Sequence, residues 1–308
     1  MKTVVLIPCY NESQTISKVV KDFKKELPHA DIYVYDNNST DDTAVIAEKA
    51  GAIVKNEFKR GKGNVVRSMF RDIDADCYIL VDGDDTYPAS SASKMEEMIL
   101  SGRADMVVGD RLSSTYFTEN KRLFHNSGNK LVRNLINFFF KSDIKDIMSG
   151  LRAFSYDFVK SFPITSQEFE VETEMSIFAL NHNFTIEEIP VNYRDRQEGS
   201  ESKLNTFSDG YKVIKLILAF VRDMRPLFFF SLISLVLVLI AAIYFFPVLL
   251  AYFRTGLVLK IPTLIVVVAV VIIAFIIFLS GVILHSLKQK DKKDFEHHLT
   301  LIRQNKKF

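Results

Sequence analysis

Residues 3–36 read TVVLIPCYNESQTISKVVKDFKKELPHADIYVYD: an apolar run (TVVLIP), an amphipathic stretch from Ser13 to Leu27, and a second apolar run (DIYVYD). The runs have the β-rich composition of buried strands, the stretch between them has a helical period, and the unit repeats. Asp41 to Ala50 leads to AIVKN, Gly63 to Ile73 leads to CYILVD, and Ala92 to Leu100 leads to DMVVG. Continuous apolar strands alternating with helices predict a parallel sheet covered on both faces, because crossover helices bury both sides of each strand. The expected fold class is α/β, a doubly wound and mostly parallel sheet. In such sheets ligands bind beyond the carboxyl ends of the strands.

Those ends are polar. The first run closes on Pro8, Cys9, Tyr10, Asn11 and Glu12, the second on Asp36, Asn37, Asn38 and Ser39, the fourth on Asp82, Gly83, Asp84 and Asp85, and the fifth on Gly109, Asp110 and Arg111. A turn and helix cap accounts for Ser39 or Asp41, since Asn, Ser and Asp serve both purposes. It does not account for four strand ends that all close on acids and amides. Beyond Arg111 the pattern becomes a longer region of helices and loops up to about Arg196.

Of the 308 residues, 48% are hydrophobic, and the excess is local. No charged residue occurs between Leu227 and Phe253 or between Ile261 and Leu284, so each run exceeds the roughly 20 apolar residues that span a bilayer. Two membrane spans are predicted. Lys212, Lys215, Arg222 and Arg225 precede the first, and Lys288, Lys290, Lys292 and Lys293 follow the second, while the connecting loop holds only Arg254 and Lys260. The positive-inside rule places both termini in the cytoplasm. Between Phe207 and Val221, the residues Phe207, Tyr211, Ile214, Leu218 and Val221 fall on one helical face, as expected of a helix lying in the headgroup plane. The organisation expected is a cytoplasmic domain over 1–205, a juxtamembrane amphipathic helix over 206–225, two spans with a short external loop over 226–285, and a basic cytoplasmic tail over 286–308. The charged stretch after Lys288 reads as a solvated or lipid-facing end. A net charge of +2 carries no field for nucleic acid. Cys9 and Cys77 lie inside apolar runs, without metal or redox spacing, and read as buried reduced thiols.

In VDGDDTYP (81–88), Asp82 and Asp84 stand two apart after a buried run, a spacing that can hold Mg²⁺ or Mn²⁺ against a diphosphate. Gly61, Lys62 and Gly63 lack phosphate-loop spacing and read as a loop shaping the pocket. The histidines show no metal-ligand pattern. Phe138 to Phe140 read as core, with a lipid contact as the alternative.

Taken together, IPCYNE, DNNSTDDT, VDGDD, the GDR at Gly109 to Arg111, KRLFHNSGN around Arg122, DIMSGLRAF at Asp146 to Phe154, FEVETEM at Phe169 to Met175 and EIPVNYRDRQEGSESK at Glu188 to Lys203 resemble the family 2 glycosyltransferases of the GT-A fold. The resemblance is narrowest to the branch that glycosylates polyprenyl phosphates, bactoprenol glucosyltransferases and dolichol-phosphate mannose synthases among them. It implies that Pro8, Tyr10 and Glu12 line a nucleoside pocket and that Asp36 reads the base or ribose. It places Asp82 and Asp84 at the sugar nucleotide and its metal, Mg²⁺ or Mn²⁺. Arg111, Arg122, Arg196, Ser202 and Lys203 are implied near the diphosphate and the acceptor phosphate, and Asp82, Asp84, Arg111, Arg122 and Lys203 as the catalytic set. Asn37 and Thr86 depart from the family pattern, the first where many relatives have a second acid, the second where many have Gln beside the metal.

The activity implied is inverting transfer of one sugar from a nucleotide sugar to undecaprenyl or another polyprenyl phosphate at the cytoplasmic membrane face. UDP-glucose is the first choice of donor, then UDP-GlcNAc, with GDP-mannose behind. Oligomeric state stays open, a homo-oligomer included. A processive polysaccharide synthase is disfavoured because the chain has no Trp and hence no QxxRW motif. A non-catalytic membrane scaffold is disfavoured by the intact acid pair and cation set.

Overall fold

The computed structural model describes residues 1–113, 125–166, 170–194, 221–223 and 225–306, with backbone only for 125–132. Arg122, Arg196, Ser202 and Lys203, and the amphipathic stretch up to residue 220, lie outside the described residues.

Thr3–Cys9 (β1), Asp31–Asp36 (β2), Ile53–Asn56 (β3), Cys77–Leu80 (β4) and Met106–Asp110 (β5) are the five strands the hydrophobic runs predict. Between them lie Ile16–Glu26 (α1), Thr43–Lys49 (α2), Lys62–Asp72 (α3) and Ala92–Leu100 (α4). His125–Phe140 (α5), Arg152–Ser155 (β6), Tyr156–Ser161 (α6), Val171–Asn181 (α7) and Ile186–Pro190 (β7) follow. The seven strands form one sheet in the order β3-β2-β1-β4-β6-β5-β7. All pairings are parallel except those of β6, which runs antiparallel to β4 and β5. The two strands inside the region read as helices and loops correct that reading. β6 (RAFS) is short and begins with a charged residue, and β7 (IEEIP) carries two acids, so neither shows the continuous apolar run of a central strand.

β1 is buried almost throughout because it lies between β2 and β4, Val5 pairing with Ile32 on one side and Ile79 on the other. α1 covers it with Ile16, Val19, Val20 and Phe23, the i, i+3, i+4, i+7 stripe of an amphipathic helix. Each such side chain, fully buried, contributes about 1.5–3 kcal/mol. The strand order reverses between β1 and β4, the crevice where doubly wound sheets bind ligands.

The chain divides into two compact units, Met1–Leu204 with His298–Phe308, and Asn205–His297. The described part of the second is mainly a helical hairpin of Pro226–Thr255 (α8) and Ile261–Asn305 (α9) as far as His297, both helices long and apolar enough to cross a membrane. Only 11% and 17% of their most apolar windows are buried, whereas a soluble core helix would be mostly enclosed. Small residues let the helices approach: Ala241 and Ala274 are buried, Ser234 donates to the Ala274 carbonyl at 2.8 Å, and a Cβ on Gly281 would sit 2.8 Å from Phe230 Cβ.

The charged stretch read as a solvated or lipid-facing tail is helical to Asn305, and its last turns belong to the first unit. There Leu299 is buried, Arg303 pairs with Asp157 at 2.6 Å, and Lys306 pairs with Asp76 at 2.8 Å while lying 5.2 Å from the Tyr156 ring centroid.

Candidate active site

The loops after β1, β2 and β4 are laced together before any ligand is considered. Asn11 accepts from the Thr40 amide through Oδ1 (2.8 Å), its own amide donates to Ser39 Oγ (2.9 Å), and the Glu12 amide donates to Thr43 Oγ1 (2.9 Å). Asn11, Asn38 and Asp85 adopt positive φ (56°, 62° and 57°), which Asn and Asp tolerate better than other side chains. Thr15 donates to the Gly83 carbonyl at 2.7 Å, tying the start of α1 to the turn after β4. Asp41 caps α2. Burial would raise its pKa, but hydrogen bonds from Thr43 and Ser13 outweigh burial and lower it.

The acids Glu12, Asp36, Asp82 and Asp84 converge on Cys9. Its thiol is pushed well above the ordinary value, by burial first and then by repulsion from those four carboxylates, so it stays protonated and inert. Tyr10 is half exposed at the mouth, with the Arg60 guanidinium 5.9 Å from its ring centroid. Pro8 is the β1 residue paired with Tyr35. Asp36 is 7% exposed; Oδ2 accepts from the Ser39 amide at 3.1 Å, and Oδ1 is buried without a hydrogen-bond partner. An orphaned buried carboxylate oxygen costs free energy unless a ligand donor meets it.

Asp84 Oδ1 accepts from the Thr86 hydroxyl at 2.6 Å and the Thr86 amide at 3.2 Å. Thr86 therefore orients Asp84. Asp82 Oδ1 lies 2.5 Å from Lys62 Nζ, which is also 2.5 Å from Glu172 Oε1. Burial alone would depress the Lys62 ammonium, but Coulombic attraction to Asp82 and Glu172 outweighs it and raises the pKa. The reading of Gly61 to Gly63 as a loop is corrected: Lys62 opens α3 and its side chain enters the site. The spacing around Gly61 to Gly63 carries no mark of Lys62; its role shows only in the 2.5 Å contacts.

Asn37 shows why an amide stands there. Nδ2 donates to the carbonyls of Glu57 and Lys59, both at 2.8 Å, and Oδ1 accepts from the Gly61 amide at 2.8 Å. A carboxylate has no donor for those carbonyls. Arg111 forms a two-pronged pair with the buried Asp146, Nε at 2.7 Å and Nη2 at 3.0 Å, with Tyr193 5.5 Å from the guanidinium. Glu174 accepts from the amides of Thr165 and Ser166 at 3.0 Å each. Arg194 makes a half-exposed pair with Asp85 at 3.2 Å.

Among the described residues no group of three or more His, Cys, Asp or Glu side chains could hold a metal ion. Two adjoining carboxylates nonetheless suit Mg²⁺ or Mn²⁺, which take one or two protein oxygens and fill the remaining positions from phosphate and water.

Residues 4–162 match the family model described as Glycosyl transferase family 2. Over 228 residues the chain is 34% identical to the glycosyltransferase AglJ of Haloferax volcanii, covering 74% of each protein. It is 60% identical over 107 residues to the protein RfbJ of Shigella flexneri, 35% of this chain and 83% of that one. A dolichyl-phosphate hexose transferase of Haloferax volcanii is 29% identical over 213 residues, 69% of this chain and 91% of the relative. Among solved structures, glucosyl-3-phosphoglycerate synthase from Mycobacterium tuberculosis, in complex with Mn²⁺, UDP and glucosyl-3-phosphoglycerate, superposes with a TM-score of 0.56 at 17% identity, over 72% of this chain and 79% of that one. That likeness defines the fold as GT-A-like. The chain belongs to glycosyltransferase family 2 and is a glycosyltransferase.

Proposed function

We propose that the enzyme transfers a single sugar, with inversion, from a nucleotide sugar to a polyprenyl phosphate at the cytoplasmic membrane face, with UDP-glucose as donor. The observation that carries the donor half is the unpartnered Asp36 Oδ1 at the end of β2, with the Asp82–Asp84 pair following β4 on the other side of β1. A nucleoside donor group would satisfy Asp36. Asp82 and Asp84 would hold Mg²⁺ or Mn²⁺, which when bound neutralises charge on the leaving diphosphate.

The acceptor half is supported by the dolichyl-phosphate hexose transferase among the relatives and by the apolar hairpin, which would keep the domain where a lipid acceptor lies. It is also supported by how the nearby acids are used. A hydroxyl acceptor needs a general base, whereas a phosphate monoester, with a second pKa of about 6, is already largely dianionic at neutral pH. Glu172 is buried against Lys62, and Glu174 is engaged by Thr165 and Ser166, so both are committed to structure. Arg111, with Arg122, Arg196, Ser202 and Lys203, would meet the acceptor phosphate.

The test is a donor screen: membranes containing the enzyme, undecaprenyl phosphate, and radiolabelled UDP-glucose, UDP-GlcNAc or GDP-mannose, followed by lipid extraction. Label from UDP-glucose should enter the lipid fraction in a divalent-cation-dependent manner and be abolished by EDTA. Label from another nucleotide sugar would correct the donor. Transfer only to hydroxyl acceptors would overturn the acceptor.

A further inference from the structure

Among the described residues Arg152 is the largest fully buried side chain, at 0% exposure. Among the described residues its hydrogen bonds all end on neutral acceptors: Nε on the Ser149 carbonyl (2.9 Å), Nη2 on the Ile147 carbonyl (2.5 Å), and Nη1 on Ser176 Oγ (2.9 Å) and Met106 Sδ (3.5 Å). Burial lowers its pKa, and the nearby Glu172 and Asp146 oppose that through their fields. A buried guanidinium without a contacting carboxylate is costly, and an apolar residue of similar volume would be the more stable choice for a core strand.

The partners of Arg152 show what it organises. Ile147 and Ser149 belong to the 146–150 loop. One end of that loop carries Asp146, which holds Arg111; at the other, Gly150 packs against the Asp82 carboxylate and its amide donates to Tyr87 Oη at 2.8 Å. Ser176 belongs to α7, its hydroxyl donates to the Glu172 carbonyl at 3.1 Å, and Glu172 holds Lys62 against Asp82. One guanidinium is thus bonded to both elements that place the site's described cations. Along this path the charges alternate: Asp82, Lys62, Glu172, Arg152, Asp146, Arg111.

We propose that Arg152 is a positioning residue that sets Lys62 on the donor side and Arg111 on the acceptor side in one register, by clamping the 146–150 loop to α7. It touches no substrate. This rests on the glycosyltransferase reading above, and it assigns a role to a residue which that reading does not use.

The test compares Arg152→Met, Arg152→Lys and Ser176→Ala as full-length enzymes, with melting temperature, donor KM, acceptor KM and kcat measured for each. Displacing catalytic groups by about 1 Å costs on the order of a hundredfold in rate. Arg152→Met should therefore lose about that much in kcat/KM toward both substrates, at temperatures well below its melting point. Arg152→Lys should recover part of both. Ser176→Ala, which removes the Arg152 bond to α7 and the hydroxyl's bond to the Glu172 carbonyl but keeps both bonds to the 146–150 loop, should raise donor KM and leave acceptor KM near wild type. Should Arg152→Met not fold, the Ser176→Ala split and the Arg152→Lys ratio carry the test. A folded Arg152→Met with a lowered melting point but wild-type KM and kcat would overturn the proposal, as would equal effects of Ser176→Ala on both substrates. Failure of the acceptor reading is a separate result, visible as wild-type enzyme that labels no lipid.

Discussion

Gly150 backs onto Asp82 so closely that a Cβ at position 150 would overlap the carboxylate, 2.9 Å from Cγ and 3.3 Å from Oδ1. The colliding atoms are the end of a side chain, so Gly150→Ala should displace the acid and leave the fold in place. The expected result is a loss of about tenfold or more in kcat/KM, a higher Mn²⁺ requirement, and a melting temperature within a few degrees of wild type. An Ala variant with normal metal dependence and normal rate would show that Asp82 is free to move without consequence.

Lys62 balances two carboxylates whose own side chains are 26% and 6% exposed. Lys62→Met should cost about 3 kcal/mol, chiefly by leaving Glu172 buried and unpaired. Lys62→Met combined with Glu172→Gln should recover much of that stability. The sign with pH follows from the raised pKa: the contribution is fully present below the unfolded lysine value of about 10.4 and is lost as pH rises through the folded value. The stability difference between wild type and Lys62→Met should stay flat through neutral pH and shrink only in strong alkali. A difference that vanished near pH 7 would contradict the pairing.

Asn37→Asp tests the departure from the family pattern. The substitution sets a carboxylate against the carbonyls of Glu57, which keeps a donor in Asn38 Nδ2 at 3.3 Å, and Lys59; leaving a buried carbonyl unpaired costs about 1–3 kcal/mol. A lower melting temperature is expected, together with weaker nucleotide binding, because the lost Nδ2 donations hold residues 57–59, the segment leading to Lys62. Unchanged thermal unfolding would mean the segment is held by other bonds.

Orientation is testable by thiol labelling, with little background because Cys9 and Cys77 are both buried. Thr255→Cys should react with an impermeant reagent on intact cells and Gln304→Cys should not. Gln304 lies in the last turns of α9, among residues that share a compact unit with the sheet, so its side of the membrane is also that of the active site. The reverse labelling pattern would place the nucleotide-sugar site outside the cell.

The acids at the strand ends were legible because a doubly wound sheet delivers every parallel strand's carboxyl end to one edge. Asp36 and Asp82 could thus be placed together from two short apolar runs. β6 and β7 were not legible. An antiparallel insertion between β4 and β5 needs no continuous apolar run of its own when its neighbours supply the covered faces. Lys62 was misread for a related reason, since nothing around Gly61 and Gly63 shows that the start of α3 faces an acid on β4's loop and another on α7.

The sequence by itself determined the first five strands and the helices between them, the two apolar helices and the acid pair after β4, because hydropathy period and run length are properties of neighbouring residues. Only the tertiary structure decided which charges meet. Lys62 reaches Asp82 and Glu172 across 20 and 110 residues of chain, and Arg152 ties the 146–150 loop to α7 through Ser176. Such contacts are fixed by sheet order and helix packing, and they exist because a buried charge must find its partners wherever the fold brings them, a requirement that leaves no periodic trace in the chain.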